Sequence, residues 1–291
     1  MFLFVLSLFL SLFLSLFAPA RAAPLPAYTY SRPEGADPAV LEGYAFATWP
    51  VRASLYAAAA DVAVLDAPGG KRTTVLGFGA SARIEEAGAV GRVGDRVDRW
   101  YRVSGAQSGW VFGGDLTPYR WEADFDGDGE KELATVAWMA DFSVRVRIFE
   151  PNLRAGAIMH LDVESAGGVY LAQSGADLTA DLVPASTAGI PLVHLHLGVD
   201  ACADYRDDWI SYQSPGAVRI GSERVALSLS GLSDSPSTSS FEVEFSAKRK
   251  TAYVTRTSTS GEEGTQPLVE KERYVLRDGI FRQEKDGTVD R

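Results

Sequence analysis

Apolar and polar residues alternate with a period of two in short runs along most of this chain. In SVRVRIF, Val144, Val146 and Ile148 fall on one face and Arg145 and Arg147 on the other. RVALSLS sets Val225, Leu227 and Leu229 opposite Arg224, Ser228 and Ser230, and FEVEF sets Phe241, Val243 and Phe245 against Glu242 and Glu244. KTAYVTR and ERYVLR repeat the pattern near the C-terminal end. Successive side chains of a strand point to opposite faces, so this period marks strands covered on one side. No long segment keeps a helical period, and the pattern predicts a mainly β fold of antiparallel sheets with little helix. Ser/Thr/Gly/Pro-rich stretches at residues 230–240 and 257–267 are expected as polar hairpin loops.

Between Trp49 and Tyr119 short apolar runs are punctuated by Gly, Asp and Pro at close spacing, the pattern of a small β barrel or sandwich. RWYRVSGAQSGWVFGGDL (Arg99 to Leu116) carries Trp100, Tyr101, Val103, Gly109, Trp110, Val111 and Leu116 in a WYKV…GWV…YL arrangement. Upstream stand VAVLDAPG (Val62 to Gly69) and VLGFGASARIEE (Val75 to Glu86), with Gly79 at a turn. Together these segments resemble the bacterial SH3-like (SH3b) domain over residues 49–119. Where the LNVRSGPS strand of that family has Asn and Arg, this chain has Ala63 and Leu65. The resemblance implies a small barrel and a role in the bacterial cell envelope, with peptidoglycan peptides or another envelope protein as partner. Trp110 is expected to be largely buried. Tyr101 and Val103 share one strand face and Trp100 and Arg102 the other, so only one set is expected inside.

The acidic stretch DFDGDGEKELATVAW (Asp124 to Trp138) carries the most specific chemistry. Asp124, Asp126 and Asp128 take positions 1, 3 and 5 of a loop, Glu130 offers its carbonyl at position 7, and Glu132 adds a carboxylate at position 9. Hard oxygens at this spacing suit Ca²⁺, which accepts six to eight of them, better than Mg²⁺, which holds its waters. Gly129 at position 6 allows the sharp turn. Position 12 is Thr135, not Glu, and LATVAWM reads as a strand, so the loop is not an EF-hand. It resembles the DxDGDGxxD/E calcium loops of FG-GAP and VCBS repeats, with Phe125 and Leu133-Ala134 fitting as well. A solvated acidic turn is the alternative. A second DxDGDG does not occur, which argues against a propeller of such repeats.

Residues 2–17 form an apolar run ending in Ala18-Pro19 and Ala20-Arg21-Ala22, the pattern of a secretory signal peptide cleaved after Ala22. No second long apolar stretch occurs downstream, and no transmembrane segment is expected after cleavage. Residues 23–48 read as a lead-in segment, 49–119 as the barrel and 120–291 as a larger β domain. The formal net charge of −10 loses only one basic residue, Arg21, on cleavage, which argues against nucleic acid as a partner. Cys202 is the only cysteine, so the fold has no intrachain disulfide.

Catalytic arrangements find little support. His194 and His196 share a strand face and could join Asp200 or Cys202 around Zn²⁺, but strand alternation alone gives the same pattern. All three histidines, His160 included, precede Cys202, the reverse of the order in NlpC/P60 peptidases. GxSxG, HExxH and phosphate-binding glycine loops are absent. Asp207-Asp208 and Glu262-Glu263 point apart on a strand and are expected at the solvated surface. The chain therefore reads as a non-catalytic exported envelope protein in the periplasm or outside the cell. The alternative is a peptidoglycan-directed hydrolase with dispersed catalytic residues.

Overall fold

Strict alternation buries one face of a sheet only if another layer covers it, and three sheets supply those layers. The computed structural model describes residues 28–30, 49–94, 96–138, 144–149, 160–164, 176–199, 204–212, 225–232, 237–260 and 265–284. Residues 1–22, most of 23–48, Asp200, Cys202 and Glu262-Glu263 lie outside them. Twenty strands carry the described fold, and every pairing is antiparallel.

In chain order, β1 (Tyr28–Tyr30) is followed by seven strands of one sheet. These are β2 (Ser54–Ala57), β3 (Val62–Leu65), β4 (Arg72–Leu76), β5 (Ser81–Val93), β6 (Arg96–Gly105), β7 (Gly109–Phe112) and β8 (Leu116–Thr117), in the order β4-β3-β7-β6-β5-β2-β8. β4 and β8 are its edges and do not pair, so the expected barrel is an open sheet. Tyr101 and Val103 are buried, as expected, and Arg102 is exposed. Trp100 is covered as well, because the long β5–β6 hairpin shifts register twice and gives a satellite core of Leu65, Trp100 and Phe112 on the opposite face.

β9 (Arg120–Ala123), β10 (Glu132–Trp138), β11 (Val144–Phe149) and β12 (His160–Glu164) form a four-stranded meander. The remaining strands are β13 (Ala176–Val183), β14 (Leu192–Val199), β15 (Asp204–Ile210), β16 (Val225–Leu232), β17 (Thr238–Ser246), β18 (Thr251–Thr259), β19 (Leu268–Arg277) and β20 (Ile280–Gln283). They pair in sequence order, with β1 added beside β13. One helical turn, Ala185–Ala188, links β13 to β14. Among the described residues no helix is long and apolar enough to cross a membrane.

The residues on either side of position 120 share one apolar core. Leu55, Val64, Ile84 and Tyr101 of the seven-stranded sheet meet Val136, Val146 and Ile148 of the meander and Val193, Leu195 and Ile210 of the nine-stranded sheet. Polar contacts fasten the same junction. The Ala58 carbonyl accepts from Thr135 Oγ1 at 3.2 Å and from Arg147 Nη1 at 3.1 Å, and Thr117 Oγ1 donates to the Val136 carbonyl. Gly79, in the left-handed region at φ +66°, leaves the room that the Leu133 side chain fills.

The other face of the nine-stranded sheet closes on itself. Among the described residues β16 pairs with β17 only at Leu232 and Ser239, so the sheet turns there and β17–β20 fold back over β14–β16. Phe245 reaches the Trp209 ring at 5.9 Å and the Phe281 ring at 5.4 Å inside this fold. Ser211 Oγ donates to the Gly279 carbonyl at 2.7 Å and holds the β19–β20 turn to the end of β15. Parts of the stretches expected as loops at 230–240 and 257–267 are strand. β16 runs to Leu232, β17 starts at Thr238 and β18 runs to Thr259. Thr238 and Thr259 explain it, facing each other with their hydroxyls 2.6 Å apart. Cross-strand threonine pairs stabilise a ladder in spite of turn-like composition.

Candidate functional site

The loop between β9 and β10 is built by its own carboxylates. Asp124 accepts from the N–H of Gly127 at 2.7 Å and of Gly129 at 3.1 Å, one through each oxygen. Asp126 Oδ1 takes the Asp128 N–H at 3.1 Å, and Asp128 Oδ1 takes the Glu130 N–H at 2.8 Å. Gly127 and Gly129 adopt φ +83° and +96°, where a side chain is strained, and this wraps the chain around its acids. Glu132 opens β10 fully buried, and its Oε2 accepts the Phe125 N–H at 2.6 Å. Phe125 is itself 1 % exposed in the main core, so the loop is rooted in that core.

Asp124, Asp126, Asp128 and Glu132 each bring a carboxylate oxygen within 4.8 Å of the others, and the four could hold a metal ion. Glu130, named for its carbonyl, is exposed and gives its N–H to Asp128. The donor set fits a hard divalent cation: all ligand atoms are oxygen, and Asp126 Oδ2 is buried with no hydrogen-bond partner among the described residues. Four anions this close repel one another, and a cation at their centre removes that cost.

A groove of about 460 Å³ opens on the seven-stranded sheet, lined among others by Asp66, Glu85, Arg102, Ser104, Ser108 and Trp110. Trp110 is half-buried and forms part of its wall, not the interior that its place in the GWV element predicts. Its ring packs over Gly88, where a Cβ would come within 2.6 Å of it. Gly109 is required before it, since a Cβ there would lie 2.7 Å from the Leu65 carbonyl oxygen.

His194 and His196 do share a face, and what joins them is Asp207. His194 Nε2 lies 2.6 Å and His196 Nδ1 3.1 Å from Asp207 Oδ1, and His194 Nδ1 lies 3.3 Å from Asp181. The His194 ring stacks on Trp209 with centroids 4.6 Å apart. Burial works to lower the His194 pKa, but hydrogen bonds to Asp181 and Asp207 and their charges outweigh it and raise it to about 9. Burial likewise opposes ionisation of Asp207, and its two histidines overcome this and hold its pKa low. The expectation that Asp207 and Asp208 are solvated is corrected: both are buried. Asp207 is in the histidine cluster, and Asp208, on the opposite face, takes Arg206 Nε at 2.8 Å. They do point apart, but the nine-stranded sheet is covered on both faces. The zinc arrangement with Asp200 or Cys202, and a role for Cys202 as nucleophile, fall on residues outside those described.

No protein-family model matches the chain, and no curated protein or solved structure is significantly similar to it. The signal that could have revealed the Asp181–His194–Asp207 contact is register, and register emerges only once β13, β14 and β15 are aligned.

Proposed function

We propose that this protein is an exported, non-catalytic binding or scaffolding protein of the bacterial cell envelope, stabilised by one Ca²⁺ in the β9–β10 loop. The observation that carries the metal is the convergence of Asp124, Asp126, Asp128 and the buried Glu132 on one point. Those four carboxylates, with the Glu130 carbonyl, would hold the ion, which supplies charge neutralisation and a fixed loop, not reaction chemistry. Because Phe125 seats the loop in the core shared by all three sheets, the ion would stiffen the scaffold that presents the groove beside Trp110. That groove, with an indole wall, hydroxyls and charges of both signs, suits an extended polar ligand such as a peptidoglycan peptide.

Two measurements separate the parts of this reading. Titration calorimetry of protein stripped with EDTA is expected to show one site for Ca²⁺, lost in Asp126→Ala; no heat at millimolar calcium sinks the metal. Cosedimentation with purified peptidoglycan, without release of soluble fragments, is expected for a binding protein. Release of fragments would establish the hydrolase instead.

A further inference from the structure

Two neighbouring hairpins of the nine-stranded sheet carry a group of exposed cations at one end. Lys248, Arg249 and Lys250 fill the turn between β17 and β18, and all three are exposed. Arg277 ends β19 at the turn into β20, and Arg282 stands on β20; both are exposed as well. The Leu276 N–H donates to the Lys250 carbonyl at 2.8 Å, one step beyond the Thr251–Val275 pair. The β18–β19 ladder thus runs on into the first turn and draws it beside Arg277. Arg282 lies opposite Val275, which lies opposite Thr251, on the face turned away from Ala252 and Tyr274, which pack with Trp209 and Phe281. Both turns are held in place. The Lys250 N–H returns to the Ala247 carbonyl at 3.1 Å with Lys250 at φ +51°, and Ser211 fastens the other turn through the Gly279 carbonyl.

We propose that these two turns form a docking surface for the anionic headgroups of a lipid bilayer. Strands of a ladder lie about 4.8 Å apart, so cations on three neighbouring strands fall within about 10 Å, roughly one screening length, and act as one field. The ion pairs described on this layer, Arg256–Glu272 and Arg273–Glu284, involve none of the five. Asp278 is the one acid on the two turns, which leaves them positive on a chain whose formal net charge is −10. Like charges held this close repel one another, and a partner carrying several anions relieves the repulsion. A bilayer supplies them in the matching geometry. Turns at one end of a sheet meet a plane together, guanidinium groups grip phosphates through two hydrogen bonds, and the acidic remainder of the chain is repelled, which holds the molecule end-on. Neither turn carries a large apolar side chain, so attachment rests on charge and is reversible. The surface lies on a different sheet from the groove beside Trp110 and requires no calcium.

Vesicle flotation of the full chain tests this, with phosphatidylcholine containing about one-third phosphatidylglycerol set against phosphatidylcholine alone. Any attachment through the apolar run at residues 2–17 is common to both vesicles and cancels in the comparison. At low salt the protein is expected to float with the anionic vesicles about tenfold more than with the neutral ones, and to lose that excess at about 1 M salt, where the screening length falls to about 3 Å. Lys248→Gln, Arg249→Gln and Arg282→Gln combined should abolish the excess. Lys71→Gln with Arg72→Gln, which removes two exposed cations at the start of β4, should leave it within about twofold. Lys248→Arg with Arg249→Lys keeps the charge and should float as wild type does, which separates loss of charge from loss of fold. Equal flotation on the two vesicles, or equal losses in the two sets of Gln variants, would overturn the proposal. So would retention by soluble polyphosphate without flotation, which would assign the turns to a phosphate polymer instead.

Discussion

The Phe125 N–H donates to Glu132 Oε2 at 2.6 Å and closes the two ends of the acidic loop on each other. Both residues are buried, at 1 % and 0 % exposure, so the anion sits where water cannot share its charge. A buried carboxylate is costly unless charge or hydrogen bonds compensate it. Glu132 thus stands at once in the apolar core and in the candidate metal centre.

Glu132→Gln tests that double position. Glutamine keeps an oxygen for the Phe125 N–H and removes the charge. The variant is expected to be at least as stable as wild type in EDTA and to gain much less from calcium. Wild type should gain about 2.7 kcal/mol at a hundredfold excess over Kd. Melting curves with and without calcium decide it: an equal calcium shift in both proteins would show that Glu132 is not a ligand.

Gly129 makes a second test within the loop. At φ +96° a side chain strains the backbone, although nothing lies near its missing Cβ. Gly129→Ala should cost about 1–2 kcal/mol. Gly77→Ala, at an open position with no positive φ, is the control and should change the urea midpoint little.

Sequence distance explains why the loop was legible and the histidine cluster was not. The acids of the loop lie within nine positions, and their hydrogen bonds are made to neighbours two to seven residues away. Short-range geometry of this kind is written in spacing. Alternation in the same way revealed the faces of β11, β16 and β17, where Val146, Ile148, Leu227 and Leu229 are buried and Glu242 and Glu244 are exposed. Asp207 and Asp208 are different. Their opposite directions were readable, but burial on both sides depends on the turn of the sheet at Leu232 and Ser239 and on the core beneath Leu195. Those contacts join distant segments, which periodicity does not record. Trp110 failed for a similar reason: its strand was visible, but its cover depends on a hairpin bent by two register shifts.

The two tryptophans of the seven-stranded sheet should accordingly respond differently to truncation. Trp100, 6 % exposed against Phe112, is expected to cost about 3–5 kcal/mol as alanine. Trp110→Ala, half-buried, should cost clearly less and yet reduce cosedimentation with peptidoglycan. Urea unfolding and the pelleting assay together test this. Equal stability losses with unchanged pelleting would remove Trp110 from the ligand face.

The last prediction concerns pH and rests on His194. Its two ring nitrogens face Asp207 and Asp181, its ring lies on Trp209, and His196 shares Asp207 from the neighbouring position on β14. A ring that donates from both nitrogens must carry a proton on each, so the folded protein holds imidazolium, with a pKa raised from 6.5 to about 9. The folded state therefore binds this proton more tightly than the unfolded chain does. Its contribution is fully present below pH 6.5 and is lost as pH rises through about 9. At 1.36 kcal/mol per pH unit the loss is of the order of 3 kcal/mol. Asp207, with its pKa lowered, acts at the other end of the scale: its share of stability is present above the ordinary carboxylate range and disappears on acidification. Urea denaturation of wild type should show stability falling between about pH 6.5 and 9.5. His194→Gln cannot take the extra proton, and its profile should be flatter across that interval. Parallel profiles for the two proteins would mean that His194 is neutral in the fold, and that Asp181 and Asp207 do not hold its proton.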